Sequence, residues 1–380
     1  MSAHPDPFRQ ARASSCGMTV HVDGEPIPLV LDLQGVRRAA KDWQAYSSAN
    51  PFHITLQSEE ALRNFRQLPI ETDPPDHTDY RAIVEPLFRR PAQPDYAARM
   101  RDIVRRTVDE ACALGTLDGV LSFALPLQSR ALALLLNVPE SEADEWITWG
   151  IRAFDHDEQG PSKGARLENY IQRQLEHAAG TPGEDLFSIL HRATFRGRPL
   201  TYEEKQGFAN LVFAGGRDTV IHTTTSILAY IAEHPAFCPQ LAADPALVPK
   251  AVEEFVRVVT PLTAITRTCA ADTPHQSAGG RIGLCWASAN RDDRFFKHAD
   301  RVQPDRAPNP HVAFGFGPHS CLGASHTRLL LRTLLTQCAE RGLRIQTLEA
   351  IPNVEVFDTF SRPIGFSKLI QRWSAQQEIP

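Results

Sequence analysis

The chain has 380 residues, 42% hydrophobic and 22% charged, with 40 basic against 45 acidic side chains and a formal net charge of −5. That composition belongs to a globular protein with length enough for a large core, and its acidic balance excludes a general nucleic-acid binder. Seven cysteines with no C-x-x-C pair and no regular framework exclude a disulfide scaffold and fit a reducing compartment.

No apolar run reaches the length expected of a transmembrane helix. The N-terminal Met-Ser-Ala-His-Pro-Asp-Pro-Phe lacks the apolar core of a signal peptide. No linker, internal repeat or low-complexity tract divides the chain. The expectation is one domain over residues 1–380, cytoplasmic and without a membrane anchor. In chain order, residues 20–22 and 29–31 read as strands. Helical patterns cover 35–45, 59–68, 76–88, 95–113 and 120–136, the last with a dense leucine stripe. Further helical patterns cover 141–153, 165–177 and 185–194. Thr201-Tyr-Glu-Glu204 is a capping box that opens one long helix running to about 234, before Pro235. A helix over 249–259 follows, then short strands at 265–269, 282–286, 354–357 and 368–373. The fold class is mainly α (α+β), with small sheets.

Cys321 lies in Phe314-Gly-Phe-Gly-Pro-His-Ser-Cys-Leu-Gly323. Glycines there let the backbone turn back on itself and let a flat ligand come close. A helical pattern follows through Leu322, Leu329, Leu330, Leu334 and Leu335. Cys321 therefore sits at or just before a helix N-terminus, where free N–H groups and the helix dipole favour a thiolate. Such a thiolate is a metal ligand or a nucleophile. His319 is near enough in sequence to act as a base, which keeps the nucleophile open. Zinc needs further Cys or His at short spacing, and Cys16, Cys112, Cys238, Cys269, Cys285 and Cys338 supply none. Haem iron needs a single axial thiolate.

Three other segments carry chemistry. Phe213-Ala-Gly-Gly-Arg-Asp-Thr-Val220 puts two glycines inside the long helix, at about 1 kcal/mol each relative to Ala. Close approach of a ligand or of another helix would explain them. Asp218 beside Thr219 sets an acid next to a hydroxyl, able to relay protons into a dry pocket. Glu254-Phe-Val-Arg257 places opposite charges on one helix face, and His77 and Arg81 share a face at i,i+4.

Together these segments resemble the cytochrome P-450 family. The Cys321 segment meets every fixed position of the family's F-G-x-G-x-H-x-C-x-G haem loop: Phe314, Gly315, Gly317, His319, Cys321 and Gly323. Gly215 to Thr219 match its A/G-G-x-D/E-T-T/S segment, and Asp73 to Arg81 its D-P-P-x-H-x-x-x-R. The resemblance implies a helical bundle around haem b, with Cys321 as the iron ligand and Phe314 and Gly323 in the cofactor-binding loop. It implies a haem-thiolate monooxygenase that inserts one oxygen atom of O2 into a small to medium apolar organic substrate, by hydroxylation or dealkylation. Gly215 and Gly216 would border the oxygen side, Thr219 would hold the oxygen, and Asp218 would help supply protons. His77, Arg81, Arg267 and His319 would bind the haem propionates. Glu254, Arg257 and Arg301 would form a structural brace. Phe213, Leu262, Thr263, Ala264, Ile265 and Phe360 would line an apolar pocket.

Some positions depart from the family pattern. Val220 replaces a second Thr or Ser, and His326, Thr327 and Leu330 replace Leu, Ala and Glu. Residues 279–285 lack the usual P-x-G turn, which leaves that sheet edge open. Arg217 reads as a partner for a nearby carboxylate. Arg89, Arg90, Arg99, Arg101, Arg105 and Arg106 form either a solvated face or a docking surface for an acidic electron carrier. No flavin or iron–sulfur motif is visible, so a separate ferredoxin or flavodoxin with its reductase is implied, serving a monomer. A peroxide-driven enzyme and a non-catalytic haem sensor are the alternatives, and the Asp218-Thr219 pair argues against both.

Overall fold

The computed structural model describes residues 6–14, 17–150, 163–181 and 183–375. Cys16, the first five residues and positions 151–153 of the helical reading over 141–153 lie outside the described residues. The longer helices are α1 (Asp76–Arg89), α2 (Pro94–Leu114), α3 (Leu125–Leu136), α4 (Lys163–Gly180), α5 (Tyr202–Gly216), α6 (Asp218–Glu233), α7 (Leu247–Val259) and α8 (Ala324–Glu340). The strands are β1 (Met18–Val22), β2 (Glu25–Val30), β3 (Tyr46–Ser47), β4 (Thr116–Asp118), β5 (Thr194–Phe195), β6 (Arg198–Pro199), β7 (Ala264–Cys269), β8 (Arg281–Cys285), β9 (Arg344–Val356) and β10 (Ser361–Ser374). They form sheets ordered β1-β2-β8-β7-β3, β4-β10-β9 and β5-β6. The missing P-x-G turn does not break the first sheet: β8 pairs parallel with β2 and antiparallel with β7.

Periodicity explains the packing. α2 starts with Pro94, whose fixed φ suits a helix start. It buries Tyr96, Met100, Ile103, Val104, Val108 and Ala111, a stripe at three- and four-residue spacing. That stripe meets leucines of α3 and α8 and the apolar faces of α6 and α7 in one core. The run Gly119–Leu136 is long and apolar enough to cross a membrane by length and composition. This corrects the expectation that no run reaches that length. Its 78% burial inside the protein identifies it as a core helix.

Two expected helices differ. Residues 59–68 form turns, not a helix. Glu71, fully buried, accepts from the backbone N–H of Phe52 and of Gln67, each at 2.7 Å. Arg63 reaches the same carboxylate with two guanidinium nitrogens and also donates to Glu59 at 2.7 Å. These charge-assisted bonds outweigh a modest helical propensity. The long helix from Thr201 is in fact two, because Arg217 breaks it between α5 and α6 with φ −101° and ψ −78°. The carbonyls freed there find side-chain donors: Thr219 Oγ1 donates to Gly215 O at 3.0 Å, and Gln128 Nε2 to Gly216 O at 3.0 Å.

The α7 brace is fully buried. Arg257 donates to Glu254 through Nε and Nη2, both at 2.8 Å. The third member is Arg306, whose Nε donates to Glu254 at 2.9 Å. This corrects the expectation of Arg301, which is exposed and offers only its backbone carbonyl to Arg257. Both arginines lie in the same loop, and only packing separates them.

Burial alone would raise the Glu254 carboxyl, but the hydrogen bonds and charge of Arg257 hold it below the usual 4.5. Burial would likewise raise Glu253, but His311 and Arg328 bring it down to about 2. Depressed carboxylates stabilise the fold above their unfolded value and lose that contribution as pH falls. Stability should therefore decline from about 4.5 toward about 2, and Glu253→Gln should flatten that limb in acid unfolding curves. Glu71→Ala, which strands Arg63 in the interior, should cost about 3–5 kcal/mol in denaturant unfolding.

Candidate active site

The Cys321 loop is shaped by close backbone contact. Gly315 and Gly317 have φ of 71° and 75°, values that favour glycine. A Cβ on Gly317 would lie 2.5 Å from the Ala40 carbonyl oxygen. The loop therefore presses against the Leu33–Lys41 helix, and the Cys321 N–H closes it by donating to Phe314 O at 2.8 Å. Arg328 lies 4.4 Å over the Phe314 ring. α8 begins at Ala324, just past the cysteine.

Cys321 is reached by solvent, yet protein surrounds it closely enough to push its thiol upward. The Gly323 N–H, Arg81, Arg328 and the Ala324 N–H pull the other way. A bound metal takes the place of the proton. The nucleophile reading weakens at His319. Burial, then Arg267, His77 and Arg81, push its imidazole down to about 2, which makes it a poor base at neutral pH. Among the described residues no group of His, Cys, Asp or Glu could hold a metal ion by itself. A single open thiolate fits haem iron.

A cluster of donors gathers beside this loop. His77 and His319 stack with ring centroids 4.1 Å apart. Arg267, on β7, is buried and donates to the Thr266 carbonyl. Its Nη2 and His319 Nε2 are buried without a hydrogen-bond partner. Arg81 donates to the carbonyls of Ser320 at 2.8 Å and Pro318 at 3.3 Å. Burial, then Arg81, lowers His77 to about 4, and burial lowers Arg267 to about 10. Donors that repel one another, with orphaned N–H groups among them, suit an anionic group such as the haem carboxylates. The residues present thus fit a haem.

The distal segment divides. A Cβ on Gly215 would meet nothing within 4 Å, whereas one on Gly216 would contact Leu132 at 3.4 Å. Gly215 opens onto free space, and Gly216 faces α3. Asp218 Oδ1 is buried without a partner, and Thr219 sits one residue on.

The pocket positions do not hold together. Leu262 is exposed at 41%. Phe213 is core, packed edge-on to Trp146 and Tyr170. Phe360 packs on Phe8 with centroids 4.8 Å apart. Ala264 and Ile265 are buried in sheet packing. Thr263 donates to Glu355 at 2.5 Å and accepts from Arg362 at 2.7 Å, so its hydroxyl is committed. Apolarity alone could not separate core from lining. The arginine cluster is largely self-paired: Arg89 with Glu85, Arg105 with Asp102 and Asp109, Arg106 with Asp102 and Glu140. Arg90 donates to Asn137. Among the described residues, Arg99 and Arg101 remain without an acidic partner.

Arg267→Leu removes a buried cation that has no ion pair among the described residues. The haem-free variant should melt no lower than the parent, while haem retention should fall. A large loss of haem-free stability would contradict the assignment.

No protein-family model matches the chain. A solved structure described as a carbohydrate-active P-450 is 41% identical, with a TM-score of 0.93 over 98% of each chain. The cytochrome P-450 monooxygenase PikC of Streptomyces venezuelae is 30% identical over 91% of this chain and 86% of its own length. The steroid C26-monooxygenase of Mycolicibacterium smegmatis is 30% identical over 78% of this chain and 75% of its own length. The chain belongs to the cytochrome P-450 family: it has the P-450 fold and is a haem-dependent monooxygenase, an oxidoreductase that incorporates oxygen from O2.

Proposed function

We propose that this protein binds haem b through Cys321 and oxygenates a carbohydrate-type substrate. The observation that carries the substrate class is its likeness, over nearly the whole chain, to the carbohydrate-active structure. Phe213, Ala264, Ile265 and Phe360 are buried in core packing, so they do not supply the apolar lining that would favour a hydrocarbon substrate. The second reading, a small to medium apolar substrate, is favoured by exposed Leu262 and by the steroid monooxygenase relative. Oxygen insertion beside an ether oxygen would give dealkylation in either case.

Bound haem supplies the activation of O2. Cys321 supplies a thiolate. Arg267, His319, His77 and Arg81 fix the orientation of the cofactor through its carboxylates. Gly215 leaves room that a side chain would fill. The Thr219 hydroxyl donates its hydrogen bond to Gly215 O, so toward the pocket its oxygen can accept one. Asp218, with Oδ1 unpartnered, carries protons inward. This pair supports use of O2 with delivered electrons over direct use of peroxide. Electrons come from a separate ferredoxin or flavodoxin with its reductase, for which Arg99 and Arg101 are cations of the arginine face without an acidic partner among the described residues. The protein works as one cytoplasmic domain and as a monomer.

Two measurements test this. Sugars and sugar ethers should shift the haem absorption of the loaded protein, as water displacement does, more strongly than steroids and terpenoids. The reverse order would favour the apolar reading. Thr219→Ala should lower product formed per O2 consumed by severalfold. Full coupling in that variant would remove Thr219 from proton handling.

A further inference from the structure

Arg217 takes no part in that chemistry, and its position is costly. It is 1% exposed, and among the described residues no acid lies within ion-pair distance. An interior guanidinium without a carboxylate is strongly unfavourable unless other acceptors hold it. Burial lowers Arg217 to about 10, with Asp218 opposing.

Its acceptors are backbone carbonyls. Nη2 donates to Trp146 O at 2.7 Å and to Gly150 O at 2.5 Å, and the guanidinium lies 5.8 Å from the Trp149 ring centroid. Trp146 O lies in the last turn of the Glu142–Thr148 helix, where it also accepts from the Trp149 N–H at 3.2 Å, and Gly150 O lies two residues past the helix, both on the negative side of the dipole. Among the described residues the expected carboxylate partner makes no ion pair with Arg217: a helix end takes its hydrogen bonds, and Asp218 acts on it through charge alone. Arg217 is also the residue shared by the end of α5 and the start of α6. A side chain tied to another helix fixes where such a break falls. Asp218 and Thr219 come next in the chain. Among the described residues, Nε and Nη1 of Arg217, like Oδ1 of Asp218, are buried without hydrogen-bond partners. The guanidinium therefore sets positive charge beside Asp218 without capturing its carboxylate.

We propose that Arg217 is a positioning residue that clamps the α5–α6 break to the end of the Glu142–Thr148 helix and so holds Asp218 where it carries protons. The second half rests on the proton-carrier reading of Asp218.

The test uses the haem-loaded full chain as R217M, R217K, D218N and R217M/D218N. Amide hydrogen exchange over residues 146–150 reads the clamp, and product formed per O2 reads its effect. R217M should exchange faster there and lose coupling severalfold, and R217K should recover part of both. In the D218N background, R217M should lower coupling no further. Unchanged exchange in R217M overturns the clamp. Additive losses in the double variant overturn its action through Asp218. Full coupling in D218N alone would sink the proton-carrier reading, and the exchange data would then decide the clamp by themselves. If R217M does not load haem, R217Q, which keeps hydrogen bonding and loses the charge, is judged by the same outcomes.

Discussion

A sulfur atom must stay open while the protein around it closes, and the contact between Gly317 and Ala40 makes this possible. The backbone at Gly317 passes so near the Ala40 carbonyl that no side chain fits. The loop is thereby pinned to the Leu33–Lys41 helix on one side. On the other it runs into α8, whose first amides face the Cys321 sulfur. Upstream, Glu254 gathers Arg257, Arg306, Asn309 and the Gln303 amide into a buried knot. That knot holds the stretch leading to the loop. Both anchors hold the backbone on either side of Cys321.

Charge is distributed with the same economy. Where the scaffold needs cohesion, buried charges are paired, as at Glu254 and Glu71. Where the cofactor belongs, cations and imidazoles crowd together with N–H groups unspent. An interior that leaves Arg267 with no ion pair among the described residues, and only the more distant charge of Asp73 to offset its burial, is unfavourable on its own, and it makes sense as preparation for an anionic ligand. Arg217 follows a third pattern: its charge is absorbed by the end of a helix.

Much of the site was legible in the sequence because its chemistry is local. The glycine and cysteine spacing of residues 314–323, the Asp218-Thr219 pair and the i,i+3 relation of Glu254 to Arg257 need no tertiary information. Long periodic helices such as α2 and α8 were legible for the same reason. What was not legible depended on contacts far apart in the chain. Glu71 overrides a helical pattern over 59–68 by drawing Arg63 inward. The choice of Arg306 over Arg301 depends on how a loop folds back on α7. Phe213 carries no sign, in sequence, that Trp146 and Tyr170 enclose it. The break at Arg217 looked like the interior of one helix because its cause lies in residues 146–150. Polar commitments such as Thr263 with Glu355 and Arg362 are equally invisible one-dimensionally.

The central claim is that the Cys321 sulfur ligates haem iron. The most direct measurement is the absorption spectrum of the haem-loaded, reduced protein under carbon monoxide, for the parent and for Cys321→Ser. The parent should show the red-shifted band of a thiolate-ligated haem, and the variant should lose it. The same band in both proteins, or an imidazole-type spectrum in the parent, would contradict it.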